Sequence, residues 1–337
     1  MGRAVYFRRK ENFSEIAVTT DGELDRYYRL QDGFLTGSIF VGKITRIKKN
    51  QGIFIDIGLE KDGLLSYEDG RKIGEFILVQ VKKEPTEKKG CALTKNITLA
   101  GKFAVLNDEG ETKFSHKLSE EKKNFLSETI KREQKNDFYD GKIGFVFRTA
   151  CEEADVNEIE DDCRILLNKY EKIISSAKNN YSITKLYAET ATDIAERLLS
   201  KGETISEDFE KVEKQVESLE KRRVEKEGVE LVFDKTEAMT VVDVNSHRFN
   251  ASYASTDATA FQANCIAVKE LARQIRLRNI GGIIMVDFIS FKNKDYLLKL
   301  KEELEKELLK DNVKTSVELV ESVGLFAIVR KIRYASL

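Results

Sequence analysis

Two short apolar runs, each ending at an aspartate and joined by one amphipathic stretch, limit what this chain can fold into. The runs at 238–242 and 283–286 stop at Asp243 and Asp287. Short runs rich in β-branched residues and without strict alternation predict parallel strands covered on both faces. Between them Phe261, Cys265, Val268, Ala272 and Ile275 recur at spacings of four and three, which predicts a helix with one apolar stripe. Gly281 and Gly282 mark where that helix stops. Strand, helix and strand form a right-handed crossover, so both strands run the same way and both aspartates reach one edge of the sheet.

Two ionised carboxylates side by side repel, and a site that keeps both charged requires a cation. Carboxylate oxygens with few other protein ligands suit magnesium, or manganese in its place. Asn245 lies two residues beyond Asp243 on the same strand face, where its amide can fix the Asp243 rotamer. Strand-end aspartates serve equally as turn formers or helix caps. On spacing alone both readings stay open.

The 337 residues suffice for two or three domains, with 34% charged and 41% hydrophobic side chains. A net charge of −1 gives no global attraction for nucleic acid. Binding of RNA would rest on local clusters such as Lys48-Lys49, Lys82-Lys83, Lys88-Lys89 or Arg273, Arg276 and Arg278, each of which reads equally well as a solvated face. The four cysteines form no CxxC pair, and the N-terminus MGRAVYFRRK carries no apolar signal segment. No run approaches the ~18 apolar residues of a membrane span. A cytoplasmic protein without membrane attachment is expected.

Along the chain, residues 1–35 hold short strands around 4–7 and 15–18. From Thr36 the pattern changes to SIFVGKITRIKK, QGIFIDIG, DGLLS, EFILVQVKK and KKGCALTK, short strands with glycines at the joints. Such a series predicts a small closed barrel of the oligonucleotide-binding kind. Ile53, Ile55 and Ile57 share one face of the second strand, which puts Phe54 on the other. An outward ring beside Lys83 and Lys89 can stack on a base next to its phosphates, or can equally cover a neighbouring element. Next come a strand in AGKFAVL, a helix after Ser119, a strand in KIGFVFRTA and a helix over 152–177. Arg148 and Thr149 close that second strand as donors suited to a terminal phosphate. Helices are expected over 184–200 and 208–227, then a hairpin of VELVFDK with EAMTVVDVN. The chain continues with a helix over 294–310 and the strands TSVELVES and LFAIVRKI, and Arg330, Lys331 and Arg333 make its end basic.

The segments TEAMTVVDVNS, ELARQIRLRNIGGIIMVDFI and VGLFAIVRKIR resemble the catalytic core of the ribonuclease E and G family. The resemblance implies an α/β protein of several subdomains. Residues 1–35 are the N-terminal part of a truncated ribonuclease-H-like subdomain, and 36–99 an inserted S1-type OB-fold barrel that binds RNA. Residues 100–177 form a region that senses 5′ ends, 178–227 a helical brace, and 228–337 a DNase-I-like catalytic subdomain. It further implies that Asp243 and Asp287 hold Mg²⁺ while Asn245 orients one of them, and that Phe54, Lys83 and Lys89 grip RNA. Gly101, Val105, Arg148, Thr149 and Lys314 would form a pocket for a 5′ monophosphate. The expected function is Mg-dependent hydrolysis of single-stranded RNA in RNA processing or decay. The family's zinc-linking cysteine pair is not found, so a homodimer is possible while zinc and a zinc-linked tetramer are not expected. The sequence departs from the family at His247, Asn250 to Ser255, Ser290 and Ala327, at Leu64 in place of an aromatic, and at Lys314 in place of a common arginine. Two other readings remain: an RNA-binding module without catalysis, and an enzyme acting on other phosphodiesters such as DNA.

Overall fold

The computed structural model describes residues 2–133, 143–200, 202–246, 248–249, 255–311 and 313–331. They divide into two compact units, one built from Met1–Asp32 with Leu199–Leu337 and the other from Gly33–Leu198. The first unit opens with an antiparallel meander of β1 (Arg3–Arg9), β2 (Phe13–Thr20) and β3 (Glu23–Gln31). Asp21 and Gly22 turn β2 into β3 at φ of 52° and 81°, the positive pair that a tight hairpin requires. Sequence pattern predicts no β3, because charged residues interrupt its inward set of Leu24, Tyr27 and Leu30.

In the second unit β4 (Ile39–Lys48), β5 (Gly52–Asp56), β6 (Gly63–Leu65), β7 (Phe76–Lys83) and β8 (Ala92–Thr94) pair in the order β4-β5-β6-β8-β7, and β4 also pairs with β7. The sheet is thereby a closed five-stranded barrel, with Ile44, Ile53, Ile55, Val79, Val81 and Leu93 inside. Beyond it β9 (Thr98–Ala100), β10 (Ala104–Asn107), β11 (Lys113–Phe114) and β12 (Gly144–Phe147) form a small sheet with α1 (Glu120–Glu133) and α2 (Val156–Lys178). Ser119 Oγ accepts from the N–H of Lys122 at the start of α1. The second helix starts later than expected, after a 3₁₀ turn at Thr149–Cys151, where Asp155 and Glu158 make a capping box. The helix expected over 184–200 is instead β13 (Thr184–Tyr187), added antiparallel to β4, followed by the short α3 (Ala191–Arg197).

Back in the first unit, β14 (Ile205–Ser206) pairs parallel to β1 and leads into α4 (Glu210–Ser218). The helix expected over 208–227 ends early, and its last part is β15 (Arg223–Lys226), antiparallel to β16 (Val229–Lys235). Then follow β17 (Met239–Asn245), α5 (Thr256–Leu277), β18 (Gly282–Asp287), α6 (Lys294–Leu308), β19 (Thr315–Val320) and β20 (Leu325–Arg330). The sheet order is β15-β16-β17-β18-β20-β19, and only β17 and β18 run parallel. Val242, Val244, Ile284 and Val286 pack beneath Val268, Leu271, Ile275, Leu300 and Leu304 in the core that α5 and α6 cover.

Among the described residues the opposite face of this sheet stays mostly open, although Val232 there is buried. Met239, Val241, Ile283 and Val329 there stay 36%, 37%, 44% and 49% exposed, which corrects the expectation of strands buried on both sides. Apolar residues occupy both faces of β17, so burial alternates where the sequence shows no alternation. The stop of α5 also differs. Asn279, at φ 49°, makes the left-handed turn after the helix, and Gly282 already belongs to β18. Among the described residues no helix is long and apolar enough to cross a membrane.

Candidate functional site

Parallel pairing of β17 with β18 sets Asp243 directly beside Asp287. Adjacent strands lie about 4.8 Å apart, and registered neighbours project to the same face. Both aspartates are exposed on the open side of the sheet, while Val242, Val244 and Val286 turn into the core. Asn245 projects to the same side, and its Nδ2 donates to Asp243 Oδ2 at 2.7 Å. One carboxylate oxygen is thus held by a neutral donor. Among the described residues neither carboxylate forms an ion pair, and no group of three or more His, Cys, Asp or Glu is placed to hold a metal. The donor set is therefore two hard carboxylates on an open surface. It suits an ion that keeps much of its water and takes few protein ligands, as Mg²⁺ or Mn²⁺ does, and does not suit a closed Cys/His zinc site.

Two residues that sequence pattern did not single out hold the end of β18. Asn264 is fully buried in α5, and its side chain bonds both backbone groups of Ile289, Nδ2 to the carbonyl at 2.8 Å and Oδ1 from the N–H at 3.0 Å. Asp257 Oδ2, in the first turn of α5, accepts from the N–H groups of Lys292 and Asn293. A polar residue on the apolar side of a helix was the one signal for Asn264. Of the family departures, Ser290 is exposed beyond Asp287, Ala327 is half-buried on β20, and Ser255 caps α5 by accepting from Ala258 N–H. His247 and residues 250–254 lie outside the described residues, as does Arg333.

On the barrel, Ile53 and Ile55 are fully buried and Phe54 between them faces outward, half-buried. The Arg46 guanidinium lies over the Phe54 ring, 3.9 Å from its centroid. Leu64, paired with Phe54 across β5 and β6, is 39% exposed. Lys83 is exposed at the end of β7, and Lys89 sits in the β7–β8 turn, where its backbone exchanges bonds with Thr86.

At one end of β10 and β12 the second unit gathers four further candidates. Arg148 follows β12, and its N–H donates to Phe103 O at 2.8 Å. Thr149 Oγ1 and Ser115 Oγ share a hydrogen bond of 2.9 Å. Val105 is half-buried in β10, paired with Ala100 and Val146. Gly101 is buried, and a Cβ there would come within 2.4 Å of Asp162 Oδ2. That carboxylate accepts from three successive N–H groups, those of Lys102, Phe103 and Ala104, at 3.1, 2.8 and 3.1 Å. Asp162 thereby accounts for the glycine and for the shape of its loop, and nothing in its charged helical segment marks it beforehand. Lys314 belongs to the first unit, ahead of β19, where its carbonyl accepts from Lys331 N–H. Burial pushes the Cys151 thiol up to about 11.

The fold and site define a protein that joins a closed five-stranded barrel to a mixed sheet carrying an aspartate pair on its open face. The family model described as "Ribonuclease E/G family" matches residues 98–204 and 192–333. Ribonuclease G of Escherichia coli (strain K12) is 30% identical, across 88% of this chain and 73% of the relative. Ribonuclease G of Haemophilus influenzae is 28% identical across 95% and 77%. Ribonuclease E of Buchnera aphidicola is 26% identical across 87% of this chain and 36% of its own length. The chain belongs to the ribonuclease E/G family.

Proposed function

We propose that this protein is a metal-dependent endoribonuclease that cuts single-stranded RNA, in RNA processing or decay in the cytoplasm. One observation carries the reading: in a chain of this family, Asp243 and Asp287 stand in register on an open sheet face with Asn245 holding the first. Asp243 and Asp287 would hold Mg²⁺, or Mn²⁺ in its place. When bound, the ion supplies an activated water and a counter-charge for in-line attack on the phosphodiester, which leaves 3′-hydroxyl and 5′-phosphate ends. Asn245 keeps one Asp243 oxygen engaged and so restricts how the other turns. Phe54 offers a ring to a base, and Lys83 and Lys89 offer charge to the adjoining phosphates.

Within the same reading the barrel over 36–99 is an S1-type OB-fold, 100–177 senses 5′ ends, and 228–337 is a DNase-I-like catalytic part. Residues 1–35 belong to a truncated ribonuclease-H-like part and 178–227 form a brace. Arg148 and Thr149, with Gly101 and Val105, favour a 5′-monophosphate end. Assembly as a homodimer belongs to this reading too.

The test compares Asp243→Asn and Asp287→Asn with the parent on a labelled single-stranded RNA in Mg²⁺, with DNA of the same sequence alongside. Both variants are expected to bind RNA as the parent does and to lose cleavage, and EDTA is expected to stop the parent. Unchanged cleavage removes the pair from the mechanism, and a parent that binds without cutting makes the chain an RNA-binding module. Arg148→Ala is expected to slow cleavage of 5′-monophosphate RNA while leaving 5′-hydroxyl RNA unaffected; equal loss on both refutes end sensing.

A further inference from the structure

Strand register lays a band of outward residues across the barrel: Arg46 on β4 beside Phe54 on β5, then Leu64 on β6, Ala92 on β8 and Lys83 on β7. Arg46 belongs to this band because of an irregularity. Between Ile44, paired with Ile55, and Arg46, paired with Phe54, β4 carries Thr45 as an extra residue. Regular alternation from the buried Ile44 would turn Arg46 into the barrel, whereas the bulge places Thr45 and Arg46 outside in succession. Thr45 is fixed by hydrogen bonds to Asp62 Oδ2 and to the Phe54 carbonyl, and Arg46 is thereby aimed over the Phe54 ring.

The barrel's two guanidinium groups, those of Arg46 and Arg71, differ in their surroundings. Arg71 pairs with Glu68 and Glu75, and Lys95 with Glu68. Arg46 is exposed and, among the described residues, has no carboxylate partner in a chain with 58 acidic side chains. At 3.9 Å it already occupies one face of Phe54, so a base arriving from that side meets the guanidinium first. A guanidinium is planar, positively charged and weakly hydrated, and bases stack on its plane as they do on aromatic rings. Leu64, next in the band, has no π face to offer.

We propose that Arg46 is a base-stacking residue of the nucleic-acid surface, the outer layer of a guanidinium-on-phenyl platform, with Lys83 meeting phosphate at the far end of the band. The proposal rests on the reading of the barrel as an RNA-binding element and adds to it the residue that replaces a second ring. Arg46 contributes a plane, and its charge alone does not account for its effect.

The test uses the full chain in EDTA, with anisotropy of a fluorescein-labelled octauridylate and of an octamer of the same length with abasic sites at its centre, over a salt series. Arg46→Lys keeps the charge and removes the plane; Arg46→Tyr keeps a plane and removes the charge; circular dichroism checks folding. On octauridylate Arg46→Lys is expected to bind about tenfold more weakly with the parent's salt slope, the loss corresponding to one stacked base. Arg46→Tyr is expected to stay within about threefold of the parent at high salt, with a slope smaller by about 0.7, as for one lost contact to a single strand. On the abasic strand Arg46→Lys and the parent are expected to bind alike. Parent-like binding of octauridylate by Arg46→Lys overturns the assignment and leaves the RNA-binding reading standing. Equal loss by Arg46→Lys on both strands overturns it as well. A parent that binds neither strand overturns the reading of the barrel and this inference together.

Discussion

Asn264 shows how much of a site is built by side chains that never touch it. Its buried amide satisfies both backbone groups of Ile289, two residues past Asp287, and so fixes where β18 ends. Asn264→Ala leaves a partly buried N–H and C=O without these partners, and is expected to destabilise the protein by about 1–2 kcal/mol in urea unfolding. Cleavage should fall further than that loss implies, because the chain carrying Asp287 loosens. Asp243, Asn245, Asp287 and the outward Phe54 were legible in the sequence, since strand periodicity alone decides which way they face. Asn264, Asp162 and Arg46 were not. The first two act on backbone 25 and about sixty residues away, and Arg46 reaches Phe54 through a bulge that no residue type announces.

Among the elements, the central strand, helix and strand of the second half followed from pattern, as did the five barrel strands. The misread stretches share a cause. TKLY and RVEK are short, carry charged residues and gain strand conformation only by joining β4 and β16, so local preference reads them as helix. The end of α5 was misplaced because Asn279 can adopt the conformation usually left to glycine. Asn279 Oδ1 also accepts from the buried guanidinium of Arg330, which Asp311 pairs from another side. Asn279→Ala is expected to lower stability by about 1–2 kcal/mol from backbone strain alone. Asn279→Gly, which relieves the strain and loses the acceptor, should fall between it and the parent in thermal midpoint.

Each large core cluster of the molecule lies within one unit: the barrel and small-sheet cores within Gly33–Leu198, the mixed-sheet core within the other. Residues 33–198 made alone are therefore expected to unfold cooperatively in circular dichroism, to bind single-stranded RNA and to leave it uncut. A non-cooperative melt would show that this core does not stand by itself. Cys91 and Cys151 belong to this unit, and burial pushes both thiols up to about 11 from an ordinary 9.0. The folded chain holds these protons where the unfolded chain releases them. Their contribution to stability is intact below pH 9 and drains away as the pH climbs towards 11. Urea midpoints at pH 8 and pH 10.5 should differ less in the Cys91→Ala, Cys151→Ala double variant than in the parent.

The order in which a ribosome delivers this chain acquires meaning from the split composition of the first unit. Its opening meander emerges ahead of the second unit, but β14, which pairs with β1, and α4, whose Val212 and Val216 pack with Leu24 and Tyr27, come out some two hundred residues later. The intervening unit is complete in the meantime and can settle while the opening strands still wait with an unpaired border. A chain cut short soon after residue 198 would thus hold a finished barrel tethered to an orphaned three-stranded meander, a natural target for quality-control proteases.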